Sequence, residues 1–133
     1  MSTHDFEYDC AGTTAHGLLA LPEVREGEEE LAPPYPGVVV CHAWKGPGSF
    51  ERERAEELAE MGFAVLVADV YGGHLANDND EAAALMNPLM EDRGGVLKDR
   101  LHASVAALQS HELVDASRCC LLYTSDAADE CLC

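Results

Sequence analysis

Hydrophobic and polar positions change their period along the chain, and each change marks an element. HDFEYD (His4–Asp9) and HGLLALP (His16–Pro22) flank the turn-like AGTT and predict two strands of an antiparallel lead-in. PGVVVC (Pro36–Cys41) is β-branched and unbroken by polar residues, the pattern of a strand buried on both faces. In SFERERAEELAEMG the period lengthens to that of a helix, with Ala55, Leu58 and Ala59 on one side. Ser49 is its expected cap, Glu51 and Glu53 lie near its start, and Gly62 supplies the stop. FAVLVAD (Phe63–Asp69) predicts a second buried strand, ending in an acid.

The loop VYGGHLANDND leads into EAAALMNPLMEDR, where Pro88 predicts a break, with Asn87 capping a new helix and Pro88 in its first turn. Leu97, Leu101, Val105 and Leu108 then hold helical spacing to about Gln109, with Gly94-Gly95 as the expected kink. That stripe reads as the core face of a helix. HELVDASR resembles the approach to another strand. Strand, helix, strand, helix with buried β-branched strands predicts an α/β protein with a parallel sheet and right-handed crossovers. Ligands of such sheets bind beyond the carboxyl ends of the strands, which directs attention to the loops after Cys41 and Asp69.

Composition narrows the partners. The 133 residues amount to one ordinary domain. Eight Lys+Arg stand against 25 Asp+Glu, a net charge of −17, and phosphate contacts need basic residues, so nucleic acid is excluded as an expected partner. The charge reads as a solvated acidic surface, part of it in the exposed connection PEVREGEEELAPP (Pro22–Pro34). Apolar runs such as Gly37–Cys41 are far too short to span a bilayer, and MSTHDFEYD lacks the layout of a secretory signal. The expectation is a cytoplasmic chain without membrane contact.

His42-Ala43-Trp44-Lys45-Gly46-Pro47-Gly48-Ser49 follows the first buried strand and admits two readings. One is a dinucleotide site, in which Gly46 and Gly48 form the G-x-G and Asp69 is the ribose acid. Against it, four residues precede Gly46, Glu51 occupies the third glycine position, and Glu51 and Glu53 would repel a pyrophosphate at the helix N-terminus. The other is an oxyanion loop, which donates one backbone N–H to a developing negative oxygen.

YDCAGTTAHGLLALP, PGVVVCHAWKG, ERERAEELAEMGFAVLVADVYGG, EAAALMNPLMEDR, LKDRLHASVAAL and VDASR, taken in order over residues 4–118, resemble the dienelactone hydrolase family. The resemblance implies an α/β-hydrolase fold and a Cys (or Ser)-His-Asp triad acting on a small-molecule ester or lactone, with no cofactor or metal. It places the nucleophile in G-x-C-x-G, after the strand that follows VDASR, with the acid and the histidine later still. It makes the Trp44 N–H the oxyanion donor and His42, Ala43, Tyr71 and Gly72 the pocket wall, with Asp69 at the mouth of the second buried strand. Family members active on dienelactone carry a glutamate directly after this histidine; Ala43 stands there instead, which counts against dienelactone as the substrate.

The last stretch departs from the family. Neither G-x-S-x-G nor G-x-C-x-G occurs in the chain, and four of the six cysteines fall in residues 119–133. Cys119-Cys120 and Cys131-x-Cys133 lack C-x-x-C spacing, so a zinc site is weakly supported, and a cytoplasmic chain argues against disulfides. CLLYTSDAADE (Cys120–Glu130) resembles the translation of a transposase-based sequencing adapter. The expected organisation is therefore residues 1–118 as the front of a hydrolase domain, lacking nucleophile, acid and base and inactive as written, and residues 119–133 as a non-native tail. The alternatives are a nucleotide-binding α/β module and a non-catalytic acidic α/β protein with a genuine cysteine tail.

Among single residues, His42 reads as a hydrogen-bonded wall histidine and Cys41 as an inert core thiol. Cys10 is expected in a surface turn without a role, and Arg93 in an ion pair with Glu91 or Asp92. His4, His16, His102 and His111 have no ligand spacing, and His74 sits on the loop after the second buried strand. Trp44 could pack on substrate or on the core.

Overall fold

The two lead-in strands pair as expected. Strand β1 (Ser2–Cys10) runs antiparallel to β2 (Thr13–Leu21) from Ser2 opposite Leu21 to Cys10 opposite Thr13. The computed structural model describes residues 2–10, 12–23, 33–42, 48–73, 76–91, 93–123 and 131–132, without the side chains of 93, 123 and 131–132. The remaining strands are β3 (Tyr35–Cys41), β4 (Ala64–Val67), β5 (Val114–Tyr123) and the two-residue β6 (Cys131–Leu132), and they join one mixed sheet in the order β1-β2-β4-β3-β5-β6. Strand β3 lies parallel to both β4 and β5, so each neighbour is reached by a helical crossover.

The apolar run of β3 is buried on both faces. Val39 and Cys41 face a cluster with Leu66, Leu108, Val114 and Leu121, while Val38 and Val40 face Val65, Val67, Ala55 and Ala59. Helix α1 (Ser49–Glu60) covers the second face, and the absence of larger side chains at Ala55 and Ala59, both fully buried, lets its backbone lie close to the sheet. Its cap differs from the expectation. Gly48, not Ser49, is the N-cap, and because glycine has no side chain to offer, the Glu51 carboxylate reaches back to accept the Gly48 N–H at 3.0 Å. At the other end Gly62 sits at φ +105, the Phe63 N–H bonds the Leu58 carbonyl and the Gly62 N–H bonds that of Ala59. That bond pair needs a left-handed residue, which is why the chain stops on glycine.

Helix α2 (Asn79–Glu91) runs through Pro88, so the break expected there, with Asn87 as a cap, does not occur. The start lies earlier: Asp78 Oδ1 accepts the Glu81 N–H at 2.8 Å, and the Glu81 carboxylate accepts the Asn77 N–H at 2.7 Å. Ala82 and Leu89 are buried on one face, and Leu89 joins Val70 and Tyr71 in a third apolar cluster, which holds the helix together beyond the proline. The irregularity falls instead at a π turn, Arg93–Leu97, that contains Gly94 and Gly95. Helix α3 (Lys98–Gln109) follows and ends where the spacing predicts.

Cys10 is also corrected. It is 1% exposed, because alternation along β1 turns Phe6, Tyr8 and Cys10 to the same inner face. Strand β5 begins beside Tyr35 and Pro36 and bulges, so that Gly37 faces Cys119 and Ala116, Ser117 and Arg118 are looped out. Asp115 holds that loop: it accepts the Ser117 hydroxyl at 2.6 Å, the Arg118 Nε–H at 2.7 Å and the Ser117 N–H at 3.0 Å, contacts that hold its carboxyl down at about 2. Cys119 to Tyr123 then run beside Gly37 to Cys41, so the first residues of the expected tail form sheet. Thr124–Glu130 of the adapter-like stretch lie outside the described residues. Among the described residues no His, Cys, Asp or Glu cluster could hold a metal ion, and no helix is long and apolar enough to cross a membrane.

Two substitutions test this packing. A Cβ on Gly37 would lie 2.9 Å from Cys119 Sγ and 2.9 Å from Leu108 Cδ2. Gly37→Ala is expected to lower stability by about 1–3 kcal/mol, read as a lower urea midpoint, and an unchanged midpoint would contradict the packing. Pro88→Ala restores a helical N–H without disturbing a buried side chain and is expected to raise the midpoint, by about 1–3 kcal/mol.

Candidate functional site

Strands β3 and β4 end side by side, and the residues that follow them meet. Asp69, two residues past β4, is 1% exposed, and its carboxylate accepts three backbone N–H groups: Tyr71 at 3.0 Å on Oδ1, and His16 at 3.0 Å and Gly73 on Oδ2. An ionised carboxylate gains charge-assisted bonds this way, and the turn 69–73 is wrapped around it. The wrapping demands left-handed backbone at Gly72 (φ +68) and Gly73 (φ +90). A Cβ would lie 2.7 Å from Thr13 Cγ2 at the first and 2.7 Å from His16 Cδ2 at the second.

Val70 donates its N–H to His42 Nε2 at 3.2 Å. That nitrogen is therefore the acceptor and carries no proton, which fixes the tautomer of the ring. The imidazole stands 4.5 Å from the Tyr71 ring at 58°, and both residues are buried. Burial pushes the Tyr71 hydroxyl up to about 12 and the Cys41 thiol up to about 12. Neither ionises near neutrality, so Cys41 is unsuited to be a nucleophile.

A second layer of polar groups lies beneath. The Asp69 N–H reaches the Tyr8 hydroxyl at 3.3 Å, that hydroxyl meets Ser104 Oγ at 2.8 Å, and Ser104 Oγ donates to the Arg100 carbonyl at 2.9 Å. A carbonyl only accepts, so the serine proton points to Arg100 and the tyrosine proton to the serine. Burial pushes the Tyr8 hydroxyl up to about 12. The Arg100 guanidinium donates to the Val70 carbonyl.

Of the residues singled out from sequence, His42, Tyr71 and Gly72 come together, with Asp69 among them. Ala43 and Trp44, and with them the oxyanion donor, lie outside the described residues, as do His74 and the Arg93 side chain. His16 Nδ1 lies 3.4 Å from a Glu7 carboxylate oxygen, and His111 accepts the Leu113 N–H. Sequence reasoning missed Tyr8, Arg100 and Ser104. Ser104 did carry a signal, as a small polar residue on the apolar stripe that runs from Leu97 to Leu108.

A cleft of about 410 Å³ opens on the α1 side of the sheet, between the helix N-terminus and β2–β4, with Leu18 and Val67 as apolar floor and His16, Ser49 and Arg52 as polar wall. Its helix N-terminus is already answered by the buried Glu51 carboxylate. That contact weighs against an anionic cofactor here, because a pyrophosphate would meet a negative group on its own donors.

The dienelactone hydrolase family model matches residues 24–122, four residues beyond Arg118 and to within one residue of the end of β5. The chain is 30% identical over 106 residues to "Protein usf" of Aquifex pyrophilus, which spans 77% of this chain and 42% of that protein. It is 30% identical over 102 residues to a putative carboxymethylenebutenolidase of Aquifex aeolicus (strain VF5), 74% of this chain and 40% of that protein. The crystal structure of a dienelactone hydrolase-like promiscuous phosphotriesterase from metagenomic libraries superposes with a TM-score of 0.80 at 27% identity, covering 92% of this chain and 48% of that one. The chain thus spans less than half the length of these relatives. With its antiparallel lead-in, parallel core and flanking helices it carries a partial α/β-hydrolase fold and belongs to the dienelactone hydrolase family.

Proposed function

We propose that the chain is the N-terminal part of a hydrolase that cleaves a small-molecule carboxylic ester or lactone, and that as written it does not turn substrate over. The observation that carries this reading is a family match that runs into β5 in a chain containing neither G-x-C-x-G nor G-x-S-x-G. In the complete enzyme a cysteine or serine beyond β5 attacks the carbonyl, a later histidine takes its proton and returns it to the leaving oxygen, and a later aspartate orients that histidine. The present chain contributes the oxyanion donor, the Trp44 N–H, and the wall formed by His42, Ala43, Tyr71 and Gly72. His42 is a wall residue and not the base, since its Nε2 is engaged by Val70. Ala43 in place of the family glutamate favours esters or lactones other than dienelactone.

Neither Cys41 nor Cys119 replaces the missing group. Burial raises the Cys119 thiol, which donates to the Asp115 carbonyl at 3.4 Å. The adapter-like Cys120–Glu130 is proposed to be foreign to the protein. No cofactor is needed by the reaction, the acidic surface disfavours nucleic acid, and the compartment proposed is the cytoplasm.

Purified chain is expected to give no sustained hydrolysis of p-nitrophenyl acetate above the buffer rate, with Cys119→Ser and Cys120→Ser indistinguishable from it. Sustained turnover abolished by either substitution would overturn the inactivity. Reading the source DNA from codon 118 onward is expected to reveal an apolar strand followed by G-x-C-x-G or G-x-S-x-G. Finding the present tail encoded there instead would remove the chemistry from this reading.

A further inference from the structure

We infer that Arg100 is a positioning residue for the pocket wall, setting from α3 the turn that carries Tyr71 and the orientation of His42. The inference rests on the hydrolase reading above for the meaning of that wall, and on its own geometry for the rest. Val70 has both backbone polar groups held by side chains from distant elements: its N–H by His42 at the end of β3, its carbonyl by Arg100 on α3. The Arg100 main chain is tied to the same turn a second time. Its carbonyl accepts Ser104 Oγ and, at 3.5 Å, Cys10 Sγ, and Ser104 leads through Tyr8 to the Asp69 N–H. Helix α3 therefore grips the two consecutive residues 69 and 70 by two routes, while the Asp69 carboxylate collects Tyr71 and Gly73.

The choice of partner supports a dedicated role. Arg52 and Arg54 each donate to a carboxylate, at 3.3 and 2.7 Å, and Arg118 donates to Asp115 at 2.7 Å and to the Pro34 carbonyl at 3.2 Å, whereas the half-buried Arg100 reaches 30 residues back to the backbone of the pocket turn. A guanidinium held by its own helix can place a carbonyl with little loss of freedom. With Val70 placed, His42 Nε2 has a fixed donor, so its proton stays on Nδ1 and the ring keeps its angle to Tyr71. Arg100 acts through Val70, whose carbonyl it holds.

The test uses the whole 133-residue chain, labelled with ¹⁵N, as the wild type, Arg100→Met and Arg100→Lys. In the wild type the His42 ring is expected to show a protonated Nδ1 and an unprotonated Nε2, with the amides of Val70, Tyr71 and Gly73 protected from hydrogen exchange. In Arg100→Met those amides are expected to exchange about tenfold faster, the effect of losing one hydrogen bond, and His42 to become a mixture of tautomers. The amides of Ala55 and Ala59 in α1 should not change, and Arg100→Lys should recover part of the protection. Unchanged exchange with a single tautomer in Arg100→Met overturns the proposal, and so does an equal rise in α1, which would mark a general loss of stability. Should Arg100→Met fail to fold, the wild type decides, because a protonated Nε2 on His42 or unprotected amides at 70–73 overturn it directly. No readout involves ester turnover, so failure of the hydrolase reading would leave these results distinguishable.

Discussion

Burial of β3 on both faces is the constraint on which the rest depends. A strand whose consecutive residues Val38 to Cys41 are all apolar has no face to give to water, so helices must lie on each side and strands along each edge. Helix α1 meets one face through Ala55 and Ala59, and α3 meets the other through Leu108. Parallel neighbours on both edges follow from those crossovers, and all the strand ends that face β3's carboxyl terminus gather in one place. The meeting of His42, Asp69 and Tyr71 there is a by-product of solving the core.

What refines that place is polar. Asp69 converts the exit of β4 into a closed turn by collecting amides, and His42 and Arg100 share the two ends of Val70. Buried polar groups of this kind are retained when every member is satisfied, and among the described residues no buried side-chain nitrogen or oxygen lacks a partner. The same satisfaction makes Asp69 an organiser of backbone. An acid at the end of a strand invites a ligand reading, whereas here its oxygens serve the turn itself.

Strands β1 to β4 and the end of α3 at Gln109 were legible because each depends on a short repeating pattern that nothing distant overrides. Pro88 misled because local chemistry predicts a break, whereas Leu89, one residue on, gains burial against Val70 and Tyr71 that a single helix cannot announce. Cys10 misled for the opposite reason: next to AGTT it resembles turn, yet period-two alternation from Phe6 and Tyr8 carries it inward. His42, Tyr71 and Gly72 were singled out as the proposed pocket wall through family resemblance, not through their chemistry. Arg100 and Tyr8 were hidden because their partners, Val70 and Asp69, lie far away in sequence and contribute only main-chain atoms, which carry no residue-specific signal.

The pairing of β3 has a consequence for the order in which the chain can assemble. Its two neighbours are made at very different times: β4 follows after one helix, whereas Tyr35 waits for Val114 and Cys41 for Tyr123, far later in the sequence. During synthesis the hairpin, β4 and α1 can therefore assemble around β3 while its other edge stays open, with unpaired amides and carbonyls beside an apolar ribbon. Closure depends on β5, and on its bulge at Ala116–Arg118 forming in register. Until then the open edge of β3 is free to pair with another strand.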